Sequence, residues 1–413
     1  MTSYIQFIKN LDPAFKKNAV LVFLGYFFVL LSYPSVRSVS QSLFYEHYTA
    51  QDYSMATFFS VLALIIAIFV SNKIQEKIGA QKLFLLIGTL SIALLSGSYI
   101  ALNNGFAPSA FFLFAIKESY IVILLHLILA YANATFSLEQ VKRLYGPLGA
   151  VGALGGIIGG QLTSSLSNAS GVFGAFLFGI FSILASIAVF IPTRRMVLTP
   201  KEKEEASPLK SIESVKKYVF LIAAVVALSQ WVIFIADLQF NIIFENAFAS
   251  KGERTAYLGR LYSYINLVSL IIQFGILPWV LVRISVKKIF FAVPLLFLLL
   301  IFGGMGLGAG SLVASAFVFI SLKGTDYSVF NVAKEVMYYP LDKMQKFGAK
   351  YITDMFIYRL AKALIAFAMA QYMLKDMMVL NLLQAAFISL WLILLVLLFK
   401  EQEKVNKDVS EKL

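Results

Sequence analysis

The fold is decided by stretches such as FLFAIKESYIVILLHLILAY, residues 112–131. About 20 apolar residues are needed for a helix to cross the hydrocarbon core of a bilayer, and this stretch has that length. It nevertheless carries a lysine and a glutamate, Lys117 and Glu118, in its interior. An apolar run with a charge pair inside it is typical of a membrane helix that faces polar groups.

Apolar runs of this length recur twelve times along the 413 residues. Sixty per cent of the residues are hydrophobic and only 14% are charged, against about 25% charged in a typical soluble domain. The runs are too long for barrel strands and lack their alternation. We therefore predict an all-α polytopic membrane protein with twelve transmembrane helices, spans 1 to 12, near residues 19–45, 53–71, 83–102, 108–136, 144–167, 171–191, 218–245, 256–282, 289–308, 312–339, 349–374 and 378–399.

The basic residues predict the orientation of these spans. Most of the 35 Lys and Arg residues fall in the two termini and in the loops after even-numbered spans. The positive-inside rule then places both termini in the cytoplasm, and we expect a bacterial inner membrane. The first apolar run is too long for a signal peptide, so it is predicted to be retained. The net charge of +13 is thereby explained by topology, without a nucleic-acid partner.

The longest polar stretch divides the chain. Residues 192–217 are rich in lysine and glutamate and follow span 6. They are predicted to form a cytoplasmic linker between two six-helix transmembrane halves, residues 1–191 and 218–413, the second with a short cytoplasmic tail. This predicts a 6+6 pseudo-symmetric bundle.

Eleven Lys, Arg, Asp and Glu residues lie inside predicted spans and away from their ends, where each is costly unless it faces water or a partner. They concentrate in spans 1, 4, 7 and 10, and in span 11. A period of three helices is expected from nested three-helix repeats, with the first helix of each repeat lining a central path. This placement predicts a transporter of the major facilitator type. Pairs of these charges could also simply neutralise each other and hold helices together.

Some of these residues follow one another at helical steps. Lys323, Asp326, Phe330 and Lys334 are separated by three or four residues, as are Asp354, Tyr358 and Lys362. Such spacing keeps side chains on one helix face. Cations beside tyrosines would suit an anion that carries a flat ring, with phosphates on the cations and the ring on an aromatic side chain.

Span 5 contains the glycine-rich sequence GPLGAVGALGGIIGGQL, residues 146–162. The glycines do not form a G-x-G-x-x-G or a P-loop pattern, so a nucleotide-binding loop is not predicted. Glycine at every third or fourth position lets two membrane helices approach closely, and we predict this packing role.

Little in the sequence indicates catalysis or a bound cofactor. It contains no cysteine and only two histidines, which argues against thiolate and multi-histidine metal sites. It also lacks the H-E-x-x-H and G-x-S-x-G patterns. We therefore predict a carrier and not an enzyme, with no cofactor and no metal.

Two regions resemble the ATP/ADP translocase family, a family of nucleotide transporters (NTP/NDP exchangers) from plastids and intracellular bacteria that belongs to the major facilitator group. One is residues 112–162; the other is SLKGTDYSVFNVAKEVMYYPLDKMQKFGAKYITDMFIYRLAKAL, residues 321–364. The matching positions include Lys117, Glu118, Tyr145, Gly146, Lys323, Tyr327, Phe330, Lys334, Glu335, Pro340, Leu341 and Lys362. The resemblance implies a twelve-helix fold and nucleotide exchange. The chain departs from the family in span 1, where Ser40 and Gln41 stand in place of a Lys-Asp pair, and at Asp326, where the family has a base.

From these observations we predict a secondary-active transporter that moves a nucleotide-like or related organic anion by alternating access, with exchange as one mode. The partners are the anionic solute and the lipid bilayer, and the protein is expected to be monomeric. The predicted solute contacts are Arg37, Lys117, Lys323, Phe330, Lys334, Tyr358, Arg359 and Lys362. The predicted ion-pair or proton-coupling groups are Glu118, Asp237, Asp326, Glu335 and Asp354. The alternatives are a proton-coupled permease or exporter for another solute, and a membrane scaffold or scramblase that does not transport.

Overall fold

The computed structural model describes residues 13–193, 208–306 and 310–410. Residues 194–207 of the predicted linker and the first twelve residues of the chain lie outside these ranges. Every regular element within them is helical. The α-helices are α1 Pro13–Phe44, α2 Ala50–Asn103, α3 Ser109–Thr135, α4 Leu138–Phe190, α5 Pro208–Ser211, α6 Lys216–Phe244, α7 Lys251–Leu270, α8 Leu277–Arg283, α9 Val286–Leu300, α10 Leu312–Thr325, α11 Asn331–Met337, α12 Lys343–Lys350, α13 Tyr358–Tyr372 and α14 Met377–Ser410.

Within the described ranges, four π-helical segments interrupt the later spans. They are Ile271–Ile276, Ile301–Gly306, Asp326–Phe330 and Tyr351–Ile357. A π-helix bonds residue i to residue i+5 and often marks a functional site within an α-helix. Two of the four segments carry predicted site carboxylates, namely Asp326 and Asp354.

Nine helical stretches among the described residues are long and apolar enough to cross a membrane. Two of them each account for two predicted spans. Helix α2 has 54 residues, which at 1.5 Å per residue is about 80 Å and far exceeds a bilayer core of about 30 Å. It is broken at Gly79, where φ is 82°, and α4 is broken at Gly171, where φ is 68°. Glycine adopts this backbone conformation without the steric cost that other residues incur.

The stretch from α12 to α13 supplies the remaining predicted span. It runs from Lys343 to Tyr372 and is interrupted only by the π-helical segment Tyr351–Ile357. It differs from the nine apolar stretches because it carries six charged residues: Lys343, Lys346, Lys350, Asp354, Arg359 and Lys362. The prediction of an all-α polytopic membrane protein with a twelve-helix bundle is confirmed.

Side chains fix several of the helix ends. Ser137 and Gln140 form a reciprocal capping box that begins α4. At the other end of α4, the Gln81 amide donates to the carbonyl oxygens of Phe190 and Thr193, the latter at 2.7 Å. The last carbonyl groups of a helix have no hydrogen-bond donor within the helix, and lipid tails cannot supply one. The buried Gln81 side chain provides that donor.

The chain divides into two compact units. Unit 1 contains the described parts of Met1–His47, Ile66–Glu202 and Ser250–Asn266. Unit 2 contains the described parts of Tyr48–Ile65, Lys203–Ala249 and Leu267–Leu413. The predicted halves at 1–191 and 218–413 are defined by sequence alone and stay a prediction.

In unit 1 the glycines of α4 allow the backbone of α1 to lie directly against it. A Cβ atom on Gly155 would lie 2.7 Å from the carbonyl oxygen of Phe27. One on Gly159 would overlap the carbonyl oxygen of Leu31. Real Cβ atoms do not approach backbone oxygens so closely, so only glycine permits this separation of the helices. The predicted packing role of the span 5 glycines is confirmed.

A second row of the same glycines packs on the first part of α7. A Cβ on Gly160 would overlap the carbonyl oxygen of Gly259, and one on Gly156 would lie 2.6 Å from the Asn266 side chain. Helix α4 therefore has small residues on two faces. Both faces are used within unit 1.

The core of unit 2 is apolar and rich in aromatic rings. Trp391 on α14 is fully buried and packs edge-on against Phe297 and Phe330. Phe290 on α9 packs edge-on against Phe330 and Phe399. This cluster packs α9 and α14 against the π-helical segment Asp326–Phe330.

Candidate functional site

In unit 1, Arg37 lies in the interior of α1 and is only 6% exposed. Its guanidinium lies over the ring of Tyr262, 4.4 Å from the centroid, and Nη1 donates to the Tyr33 hydroxyl at 2.6 Å. Tyr262 in turn donates to Gln41. A guanidinium can stack on an aromatic ring with its face and donate hydrogen bonds in its plane at the same time.

Lys117 on α3 is another buried cation of unit 1 and is 1% exposed. Its Nζ atom lies 2.7 Å from Oε1 of Glu118 and 3.5 Å from the ring centroid of Phe114. The predicted lysine–glutamate pair is therefore a direct ion pair. Removal of one member of a buried pair costs about 3–5 kcal/mol, because the other charge stays buried without compensation.

In unit 2, α10 and the π-helical segment after it place Lys323 and Asp326 close together. Lys323 is 9% exposed and its Nζ lies 5.4 Å from the ring centroid of Tyr327. Asp326 is 1% exposed, and among the described residues its Oδ2 has no hydrogen-bond partner. The charges of Lys323 and Lys334 both act on this carboxylate.

Lys334 on α11 is the centre of a charge network in unit 2. The network consists of Lys323, Asp326, Lys334 and Asp354. Its Nζ lies 2.8 Å from Oδ1 of Asp354, and the Tyr338 hydroxyl donates to the same oxygen at 3.2 Å. Lys334 is nearly buried, whereas the Asp354 side chain is 28% exposed. The Asp354 carboxylate thus connects the π-helical segment Tyr351–Ile357 to α11 and the residue that follows it.

Glu335 lies beside this network but on its exposed side. Its carboxylate pairs with Lys350, and the two side chains are 48% and 36% exposed. The predicted ion-pair role of Glu335 stays a prediction. An exposed pair of this kind contributes at most about 1 kcal/mol to stability.

The three predicted solute contacts on α13 are all half-buried: Tyr358, Arg359 and Lys362. The Arg359 guanidinium is used within its own helix, since Nη1 donates to the carbonyl oxygen of Met355 at 2.6 Å. It thereby satisfies backbone groups in the π-helical segment Tyr351–Ile357. Its predicted contact with a solute stays a prediction.

Phe330 lies in the apolar core of unit 2, and its predicted contact with a solute stays a prediction. The side chain is 2% exposed and its ring packs between Phe290 and Trp391 in the core of unit 2. Regular helical steps would place it on the face of Lys323 and Lys334. The π-helical segment changes that face, so Phe330 stabilises the core in this structure.

Asp237 on α6 is held by hydrogen bonds. The Tyr53 hydroxyl donates to Oδ2 at 2.8 Å, and the Asn241 amide donates to Oδ1 at 2.9 Å. All three side chains are buried within unit 2. The predicted ion-pair or proton role of Asp237 stays a prediction, and the arrangement also joins the start of α2 to α6.

Loss of the Tyr53 hydroxyl should destabilise the protein measurably. We expect Tyr53→Phe to lower the free energy of unfolding by about 1–3 kcal/mol, because a buried carboxylate loses a donor and keeps its desolvation cost. Thermal unfolding in detergent would measure the change. Tyr372→Phe removes a hydroxyl from a side chain that is 75% exposed and should have no effect. Equal stability of the two variants would contradict the role of this hydrogen bond.

The structure adds three side chains to those predicted from the sequence, namely Tyr53, Tyr262 and Tyr338. Tyr53 and Tyr262 lie in spans without charges near mid-depth, so the pattern of buried charges does not reveal them. Tyr338 follows Lys334 by four residues, and that spacing could have indicated it. Among the described residues no group of three His, Asp or Glu side chains is placed to hold a metal ion.

The fold is similar to solved transporter structures at low sequence identity. A mutant of the nucleoside transporter NupG is 13% identical with a TM-score of 0.68, over 92% of this chain and 99% of that one. A bacterial homologue of the iron transporter ferroportin, in its inward-facing state, is 12% identical with a TM-score of 0.63, over 93% and 98%. The human organic anion transporter MFSD10 (TETRAN) is 16% identical with a TM-score of 0.57, over 95% and 100%. No protein-family model and no curated protein matches the sequence. The chain therefore has the fold of major facilitator transporters.

Proposed function

We propose that this protein is a secondary-active transporter that moves a nucleotide-like or related organic anion across the membrane by alternating access. The observation that carries the proposal is the network of Lys323, Asp326, Lys334 and Asp354 within predicted spans 10 and 11. Ionisable groups in a membrane protein cost free energy and are typically kept for a solute path or a proton relay.

The cations support an anionic solute. Lys323, Lys334 and Lys117 place ammonium groups inside the membrane-spanning helices, and Arg37 presents a guanidinium stacked on Tyr262. Hydrogen bonds from lysine or arginine to phosphate are among the strongest that proteins form. Stacked tyrosine and arginine faces also suit a flat ring.

The resemblance to ATP/ADP translocases supports a nucleotide, and two of the structural neighbours transport solutes that each share one feature with it, the nucleoside part or the negative charge. The neighbours are a nucleoside transporter and an organic anion transporter. In this proposal Lys117, Lys323 and Lys362 bind the anion, and Arg37 and Arg359 assist. The carboxylates act as ion-pair switches or proton sites. Both termini face the cytoplasm at a bacterial inner membrane, and transport proceeds by exchange.

A thermal-shift screen on the purified protein tests the solute class. We expect nucleotides to raise the melting temperature more than the matching nucleosides, because only nucleotides can engage the buried cations. Saturation at about 100 times Kd would add about 2.7 kcal/mol of stability. Stabilisation by nucleosides alone, or by neither class, would contradict an anionic nucleotide as the solute.

A proton-coupled permease for another solute is the second candidate, and Asp326 favours it. A carboxylate that is 1% exposed and has an oxygen without a hydrogen-bond partner among the described residues is a chemically suitable proton site. An imposed pH gradient would then drive uptake into vesicles that contain no counter-substrate. Uptake that requires a nucleotide inside the vesicles and does not depend on the pH gradient would favour exchange.

A further inference from the structure

Lys334 interacts with two carboxylates that differ in exposure, one by direct contact and the other through its charge. Asp354 binds its ammonium at 2.8 Å and is 28% exposed. Asp326 is 1% exposed, and the Lys334 charge acts on it as well. The carboxylate in direct contact with Lys334 is therefore the more exposed of the two.

The groups that hold Asp354 are groups that any oxyanion could use. An ammonium and a phenolic hydroxyl, from Lys334 and Tyr338, both contact its Oδ1 atom. Phosphate and carboxylate oxygens accept the same charge-assisted hydrogen bonds. Asp354 thus occupies the kind of site that the proposed function requires for a solute phosphate.

The backbone at Asp354 also suits a move of its carboxylate from Lys334 to another cation. Asp354 lies within the π-helical segment Tyr351–Ile357, whose hydrogen bonds differ from those of the α-helices on either side. Arg359 donates to the carbonyl oxygens of Asp354 and Met355. A guanidinium on the same helix thereby offers the Asp354 side chain a second cation near its present position.

We propose that Asp354 is a built-in competitor for the anion site. Its carboxylate occupies Lys334 and Tyr338 when no solute is bound, and a phosphate or similar oxyanion of the solute displaces it. This inference rests on the proposed function; it names the cation that receives the anion and adds Tyr338 as a further solute contact. After displacement the solute oxyanion takes the place of Asp354 as the counter-charge of Lys334, so the buried ammonium stays paired.

Binding of ADP to purified variants tests the inference. Asp354→Asn removes the competing charge, and we expect ADP to bind about tenfold more tightly, which corresponds to about 1.4 kcal/mol. Adenosine carries no phosphate, so its affinity should not change. Lys334→Gln should lose ADP affinity, and Asp354→Asn should add nothing in the Lys334→Gln background.

A matched control uses a carboxylate of unit 2 that lies outside the network. Glu403 pairs with Lys287 at 3.8 Å, and the Glu403 side chain is 70% exposed. Glu403→Gln makes the same kind of chemical change and should leave ADP affinity unchanged. If Asp354→Asn fails to fold, Asp354→Ser also removes the carboxylate and should give the same tightening.

The outcomes separate this inference from the proposed function. Equal or weaker ADP binding by Asp354→Asn, when the unchanged protein binds ADP, would overturn the competitor role alone. ADP binding that appears only in the asparagine variant would support it. Failure of both proteins to bind ADP would overturn the inference together with the proposed solute class.

Discussion

We expect Gly159→Ala to lower the free energy of unfolding by about 3 kcal/mol, the upper end of the usual cost of overpacking. Gly159 lies where α4 meets the backbone of α1, and an added Cβ would overlap the carbonyl oxygen of Leu31. A backbone oxygen cannot move aside as the end of a flexible side chain can. The two helices would have to separate, and every contact along their shared face would weaken.

Gly149 supplies the matched control for this prediction. It lies on the same helix, and a Cβ there would meet no atom of the described residues within 4 Å. Gly149→Ala should stabilise the protein by about 0.5–1 kcal/mol, because alanine loses less backbone entropy in a helix than glycine does. Thermal unfolding in detergent would measure both variants. Two alanine variants that change stability in the same direction would contradict the packing role assigned to Gly159.

The second large effect is expected at Lys323. We expect Lys323→Gln to reduce solute uptake at least tenfold, since a hydrogen bond to a charged group contributes about 1.5–3 kcal/mol. Lys323 is 9% exposed and lies beside Asp326 and the ring of Tyr327. The side chain of glutamine is similar in length, so the change removes the charge and leaves most of the packing.

Uptake by proteoliposomes would measure this loss, with melting temperature as a check on folding. Lys287→Gln is the control, because Lys287 is exposed and pairs with Glu403 outside the network. Lys323→Arg keeps the charge and should retain part of the uptake. Normal uptake by Lys323→Gln would remove this lysine from the proposed solute path.

The spans and the glycine packing could be predicted from the sequence because both depend on local rules. Bilayer thickness sets the length of each apolar run, so all twelve predicted spans correspond to helical stretches. Glycine spacing along α4 predicted close approach, and Gly155 and Gly159 meet the backbone of α1. Neither prediction required knowledge of which helix would be the neighbour.

The faces of spans 10 and 11 could not be predicted in the same way. Helical steps assume 3.6 residues per turn, which gives about 100° per residue. The π-helical segment Asp326–Phe330 adds a residue to the turn and rotates the residues after it about the helix axis. Phe330 consequently packs on Trp391 in the core.

The ion-pair partner of Lys334 could not be predicted from spacing within its own helix either. Its own helical stretch carries Asp326 eight residues earlier, yet the ion pair at 2.8 Å joins it to Asp354 on the next span. Contacts between helices depend on tertiary packing, which no periodicity within one helix reveals. The buried charges could be identified from sequence, but their pairing required the structure.

Uptake of labelled ADP into proteoliposomes tests the central claim most directly. We predict saturable uptake that is faster into vesicles loaded with unlabelled nucleotide and is competed by external nucleotides. Vesicles that contain Lys323→Gln should show at least tenfold less uptake. If the folded protein neither takes up ADP nor exchanges it, and no nucleotide or nucleoside competes, the claim of nucleotide-like anion transport is contradicted.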